Sequence, residues 1–515
     1  MKLLKKIVAV FLLVCLSVSL IAGCGAEKAD KIKAFSVGYA KALITPEESV
    51  PLRGYGDAME RFSEGQLEDM YATCVAFADT EGNKLLLIST DLTNSPDSLS
   101  TTSRKQISEA TGIPVSNILF TASHSHSAPD YSQSVPSITN YMALFLERVL
   151  EGAKAAVADL APATMETGYT RVDRTNTVRH YLLSDGSYQG DKMGSVPDSD
   201  IIGHATKVDN LLQVVKFTRE GGKKPVVLVN WCGHPKKADG DLYKLVGPNY
   251  VGVLRMLLEE QYGCEVSYVL SGSGNVNNNS SVAGEVDHKD YVGLGTRLAK
   301  EVSDVLDNRL TASKLDKIHL NENIWVAKNK SGKEIKLPLY AFSIGEWACV
   351  TAPFEIFDTN SMAVRDASPF KMTFYAACAN ASNGYLPTPE SYNWAIKYEA
   401  RITKFPAGTA ENLQNELIRQ LGDIFAAAGY GPMEKGEGYN TPEYAPHTDG
   451  KVYVNPEVGG EAKAVQNGFY ALVLSDGKTY KNMLCIDEET AKAVMAKEEM
   501  KLLFNDSNVI VGFAE

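Results

Sequence analysis

Six apolar runs of strand length in this chain each end in polar side chains, and that repetition constrains the fold more than any single motif. Lys84 to Thr90 runs into Asp91, Ile118 to Phe120 leads to His124, and Pro225 to Trp231 is followed by Cys232-Gly233-His234. Val266 to Leu270 enters Ser271-Gly272-Ser273-Gly274-Asn275-Val276-Asn277-Asn278-Asn279. Trp347 to Thr351 precedes Glu355, and Lys371 to Cys378 precedes Asn380. In open sheets with parallel strands, sites assemble beyond the carboxyl ends of the strands. Helical periodicity falls between these runs at Leu99 to Thr111, Tyr141 to Ala158, Gly247 to Glu260 and Asp287 to Leu306, and again from Thr409 to a stop at Gly429. The expectation is an α/β (mixed α+β) fold with its chemistry at C-terminal strand ends.

Among those tips, Thr121-Ala122-Ser123-His124-Ser125-His126-Ser127-Ala128-Pro129 stands out, because the whole chain has eight histidines. In an extended segment, positions two apart face the same way, so His124 and His126 can address one site while Ile118 to Phe120 stay anchored in a sheet. Two histidines and a carboxylate from separate strand ends make a sensible catalytic zinc set. The candidates are His124 or His126, His234 and Glu355. Each single residue also has a plainer reading: His234 as a hydrogen-bonded loop histidine, Glu355 as a carboxylate at a helix N-terminus. The histidine pair alone outweighs its plainer reading.

Other chemistries fit less well. The pair lacks the Asp and second His of an H-x-H-x-D-H site, having Ala128 and Pro129 there, and no G-x-S-x-G elbow offers a serine nucleophile. Ser271 to Asn279 has no P-loop lysine. Cys232 closes an apolar run and reads as core rather than as a thiol nucleophile. No C-x-x-C pair occurs, and buried free thiols are the plainest expectation for the scattered cysteines. The net charge of −12, with no compensating basic run, argues against nucleic acid as a partner.

The ends read differently. Lys2, Lys5 and Lys6 precede an apolar run from Ile7 to Ile21, and Ile21-Ala22-Gly23-Cys24 resembles a bacterial lipoprotein lipobox. Residues 1–23 are then a signal peptide, Cys24 the lipidation site, and 24–33 a polar tether. The alternative is an ordinary secretory signal with an incidental cysteine. Cleavage moves the formal charge from −12 to −15, since three lysines and no acid are lost. The protein is expected outside the cytoplasm, held to the cell membrane of a bacterial envelope by its lipid. Between 34 and 430 lies the main domain. Arg171 to Asp200 reads as a long loop and Asp307 to Lys336 as a charged linker. Residues 431–515 read as a small α+β appendage with short strands and one helix near Glu488 to Met500.

The histidine block resembles the T-H-T-H-S-G/A-P block of the neutral (non-lysosomal) ceramidase family. Asn230-Trp231-Cys232-Gly233-His234 resembles that family's N-W/F-x-x-H block, Pro353-Phe354-Glu355 its P-G-E block, and Asn380 to Glu399 its Tyr-rich segment. Order and spacing agree from Phe35 to Gly429. The resemblance implies two packed β-sheets flanked by helices, and one Zn2+ per chain held by His124, His234, Glu355 and Tyr385. It implies catalytic or substrate-contacting roles for His126, Arg179, Tyr398 and the loop residues Asn275 and Asn277. The implied reaction is hydrolysis of an amide in a lipid or other amide-bearing small molecule, with Tyr398 stabilising the oxyanion. One departure matters: the family's G-D-V-S-P-N block is Gly274-Asn275-Val276-Asn277-Asn278-Asn279 here, without its Asp or Ser. That excludes a serine nucleophile at this position and leaves metal-activated water. It also keeps two other readings open: a zinc amidase or esterase acting on glycan or cell-wall material, and a surface lipoprotein that binds without turnover.

Overall fold

The computed structural model describes residues 32–440 except 96, 185–187, 191–197, 237–239, 281–283 and 394–397, and beyond them five strands between 463 and 514. The expected signal peptide, tether and Cys24 lie outside the described residues, as does the helix expected near Glu488 to Met500.

Two sheets form the centre. The larger contains β1 (Ser36–Leu43), β2 (Tyr71–Ala78), β3 (Lys84–Thr90), β4 (Ile118–Ala122), β5 (Ala161–Arg171), β6 (Leu211–Arg219), β7 (Val226–Trp231) and β8 (Glu265–Leu270), in the order β8-β7-β6-β5-β1-β2-β3-β4. The smaller runs β9 (Ile318–Lys328), β10 (Glu334–Ile344), β11 (Trp347–Thr351), β12 (Met372–Ala376). Side chains alternate along each strand, so each sheet has two apolar faces to cover. Leu85, Leu87, Leu119, Phe217 and Leu228 meet Phe342, Trp347, Cys349 and Phe374 between the sheets. On the outer face of the large sheet, Leu86, Ile88 and Phe120 pack on α1 (Asp97–Thr111) and α2 (Pro136–Ala158). Val227, Val229 and Tyr268 pack there on α3 (Tyr250–Tyr262) and α4 (Tyr291–Asp304). The small sheet is covered by α5 (Asp358–Ala367) and α7 (Thr409–Ala428), with the short α6 (Tyr398–Ile402) at its end. The result is helices, sheet, sheet, helices, as expected of two packed sheets flanked by helices.

Within the two central sheets the parallel pairs are β3/β4, β7/β8 and β11/β12, joined by α1, α3 and α5 respectively. These are the six runs with polar tips. Each β-α-β unit carries two tips to the same end of its sheet, which explains why the tips recur.

Three expectations need correction. Arg171 to Asp200 is not one loop: Thr177–Val178 pairs with Val276–Asn277, and His180–Leu183 pairs with Tyr188–Gly190 and Ile201–His204. Its strands are too short and polar to show periodicity. Asp307 to Lys336 is not a linker either, because β9 and β10 form a long antiparallel hairpin. Its charged residues occupy an exposed face. The main domain also extends past 430: Tyr439 is buried between the sheets, where its hydroxyl donates to Gln213 (2.6 Å) and accepts from the Thr373 N–H (2.8 Å). Further on, Lys463–Gln466, Phe469–Val473 and Thr479–Lys481 form an antiparallel sheet, and Lys501–Phe504 pairs with Ile510–Ala514. Among the described residues no helix is long and apolar enough to cross a membrane.

Candidate metal centre

The histidine pair meets by a route other than strand alternation. Strand β4 ends at Ala122, and His124 takes φ 69°, in the left-handed region. A non-glycine residue there is uncommon and costs free energy that the surroundings must offset. The His124 N–H donates to Leu92 O (2.9 Å), and the His126 N–H donates to Pro235 O (3.0 Å), which fixes the kink from both sides. Asn380, also left-handed at φ 61°, accepts the Phe120 N–H on its side chain and donates its own N–H to Phe120 O, both at 2.9 Å. The end of β4 is thereby tied to the segment following β12. Loop residue Gly54 lies flat on His126, where an added Cβ would come within 2.5 Å of the imidazole.

His124, His126 and His234 converge, with one ligand nitrogen from each lying within 4.8 Å of the others. His126 Nε2 is 3.3 Å from His124 Nε2 and 2.9 Å from His234 Nε2. His124 Nδ1 faces Thr93 O at 2.5 Å and His234 Nδ1 faces Ser273 O at 3.2 Å. A carbonyl only accepts, so both Nδ1 atoms carry a proton, and in the neutral imidazoles the lone pair is on Nε2. Bare lone pairs this close repel, and a cation among them removes the repulsion. The donor set therefore fits zinc, with backbone carbonyls orienting the imidazoles as outer partners do in metal sites.

Glu355 borders the group, its Oε2 3.3 Å from His124 Nε2. Burial would raise its carboxyl, but His124, the Tyr385 hydroxyl and Arg179 outweigh this and hold it below the usual range. Burial opposes charge on His124 too, yet Cys378 and Glu355 beside it prevail and raise it to about 10, so that without a cation in the group His124 holds a second proton on Nε2, which a metal would displace. His126 and His234 are held well below the ordinary histidine value by burial and by His124. Two of the three imidazoles are thus kept neutral, as metal ligation requires.

Around this core, the expected residues divide. Burial pushes the Tyr385 hydroxyl well up, so it stays protonated and donates towards Glu355. The Arg179 guanidinium lies 5.5 Å from the Tyr385 ring, donates to Gly274 O (2.7 Å) and pairs with Glu399 (2.5 Å). His180, 3.1 Å from Glu399, closes a buried group that the sequence did not announce. Tyr398 is next to Tyr385, ring centres 5.9 Å apart. His126, a metal candidate by its spacing from His124 and a substrate-side residue by the resemblance, has its Nε2 among the convergent nitrogens. Asn275 is held in the loop: its amide donates to Asp358 Oδ1 (2.6 Å) and accepts the Asp358 N–H (2.8 Å), which makes it a clamp there. Asn277 accepts from the Lys236 ammonium, a partner sequence reasoning missed because lysine is abundant and carries no spacing signal. Tyr55, edge-on to His126 at 5.0 Å, was missed for the same reason.

No family model and no curated protein matches the chain. Among solved structures, a ceramidase complexed with C2 superposes with a TM-score of 0.62 at 15% identity, covering 78% of this chain and 77% of the other. Neutral ceramidase from Pseudomonas aeruginosa superposes with a TM-score of 0.61 at 16% identity, covering 78% and 76%. The fold is that of the neutral ceramidases. At such identity the likeness is one of architecture, and it agrees with the helix-covered pair of sheets that carries the histidine group.

Proposed function

We propose that the protein is a zinc-dependent hydrolase that cleaves the amide of ceramide-like N-acyl lipids. The observation that carries this reading is the buried group His124, His126 and His234, with two Nε2 lone pairs set by backbone carbonyls, inside a neutral-ceramidase fold. A zinc ion held there by the histidines and Glu355, with Tyr385 beside it, would supply Lewis acidity and lower the pKa of water. Tyr398 stays protonated because burial raises its hydroxyl, so it can donate to the carbonyl oxygen on which charge develops. Arg179 keeps Tyr385 in place and adds positive charge beside Glu355.

The leader and Cys24 support a lipid-anchored position on the cell envelope. One observation favours a second reading, a zinc amidase or esterase on a substrate other than ceramide. Asn277, which the resemblance aligns with the family serine, accepts from Lys236, so the polar wall facing the substrate differs. The test is hydrolysis of a short-chain fluorescent ceramide beside a panel of glycan and cell-wall amides. Ceramide cleavage that falls sharply in Glu355→Ala supports the first reading. Cleavage confined to the panel supports the second, and zinc-loaded protein inert on all of them would contradict both.

A further inference from the structure

We propose that the far half of the β9–β10 hairpin docks the protein on an anionic lipid surface, beside the mouth of the metal centre. Strand β10 pairs with β11 only from Tyr340 to Ile344, whereas Glu334 to Leu339 pair with β9 alone. Thr351, opposite Tyr340, ends β11 on the side that leads to Glu355. The hairpin therefore overhangs the site-bearing end of the small sheet by six residues, about 20 Å at the strand rise.

The overhang has two faces. Asn323 hydrogen-bonds Glu416 of α7 (2.6 Å), and Trp325 packs with the core beneath α7. On the opposite face Ile324 and Val326 are 50% and 45% exposed. β-branched residues bared on an edge strand invite aggregation unless something covers them. The charge around them indicates what does. Residues 328–336 hold Lys328, Lys330, Lys333 and Lys336 against the one acid Glu334, in a chain of net charge −12.

The turn is also joined to the site. Lys330 donates its backbone N–H to Lys404 O (2.7 Å) and its ammonium to Ala400 O (2.9 Å). There Ile402 is 45% exposed, between exposed Arg401 and Lys404. Its helix α6 begins at Tyr398, the neighbour of Tyr385. Apolar side chains with lysines clustered at the turn end, and Glu322 at the other end of the face, match a bilayer with anionic headgroups, which takes the first into its interface and attracts the lysines. This deepens the proposed function, for a lipid amide would enter from the surface on which the hairpin rests.

The test uses the full chain with Val326→Cys carrying an environment-sensitive fluorophore, and Val292→Cys on α4 as the control position. On vesicles of equal parts phosphatidylglycerol and phosphatidylcholine, the label at 326 should shift to the blue and the label at 292 should not. Adding Lys333→Glu and Lys336→Glu, or raising the salt, should at least halve that shift. No shift at 326, an equal shift at 292, or a shift indifferent to charge reversal would overturn the proposal. So would a shift that grows with protein concentration in the absence of vesicles, which would mark an interface between copies. The readout needs no turnover, so an inactive enzyme with a responsive hairpin would fail the catalytic reading alone.

Discussion

Two buried polar groups lie at strand ends of the large sheet, and they are finished differently. At the end of β3, Asp91 meets Arg255 of α3 at 2.7 Å and accepts the Tyr71 N–H at 2.7 Å. Every charge there has its partner within the chain. At the ends of β4 and β7, His124 and His234 are tied to backbone carbonyls on their outer sides, while the Nε2 atoms of all three histidines face one another with the Glu355 carboxylate beside them. A buried polar group that finds no partner is costly, and a fold keeps one where a ligand completes it. Strand-end position thus selects candidates, and internal satisfaction separates ties from sites.

Substitutions can break this contrast. The largest effect is expected for His126→Ala, which should weaken zinc binding by more than the roughly 10–100-fold that follows loss of an outer partner. Competition with a chromophoric chelator measures it. Zinc held normally, with only KM raised, would return His126 to the substrate side. Arg255→Met should instead leave zinc in place and cost about 3–5 kcal/mol of stability in urea unfolding, because it strands the Asp91 carboxylate. Zinc lost along with stability would show that the two groups are not separate.

Smaller effects sharpen the picture. Burial would raise the Glu399 carboxyl, but Arg179 and His180 outweigh it and lower it from 4.5 to about 2. A carboxyl depressed on folding stabilises above its unfolded value, so this contribution is present above pH 4.5 and fades as pH falls towards 2. Glu399→Gln should flatten stability across that interval in acid titration, and an unchanged slope would dismiss the pairing. Least is expected of Asn277→Ala, which removes the acceptor for Lys236 and should reduce turnover by less than loss of any histidine. Abolished turnover with zinc retained would place Asn277 among the catalytic groups.

Much of this was legible in the sequence for physical reasons. Strands such as Val226–Trp231 are buried on both faces and read as unbroken apolar runs, and α7 shows one apolar stripe ending at Gly429. The tips could be found because polar residues interrupt those runs. The β9–β10 hairpin could not, because half of each strand faces solvent and its lysines mask the alternation. Nor could the route by which His126 reaches the cluster, since it runs through a left-handed residue at His124 that no pattern of side chains announces. Glu399 and Lys236 act through partners far away in the chain, and such pairings appear only in three dimensions.

Metal analysis of the purified protein beside His124→Ala and His234→Ala tests the central claim most directly. The account predicts about one zinc ion per parent chain, lost in both variants while the fold persists by circular dichroism. A folded parent free of zinc, or variants that keep it, would contradict the assignment of these strand ends as a metal centre.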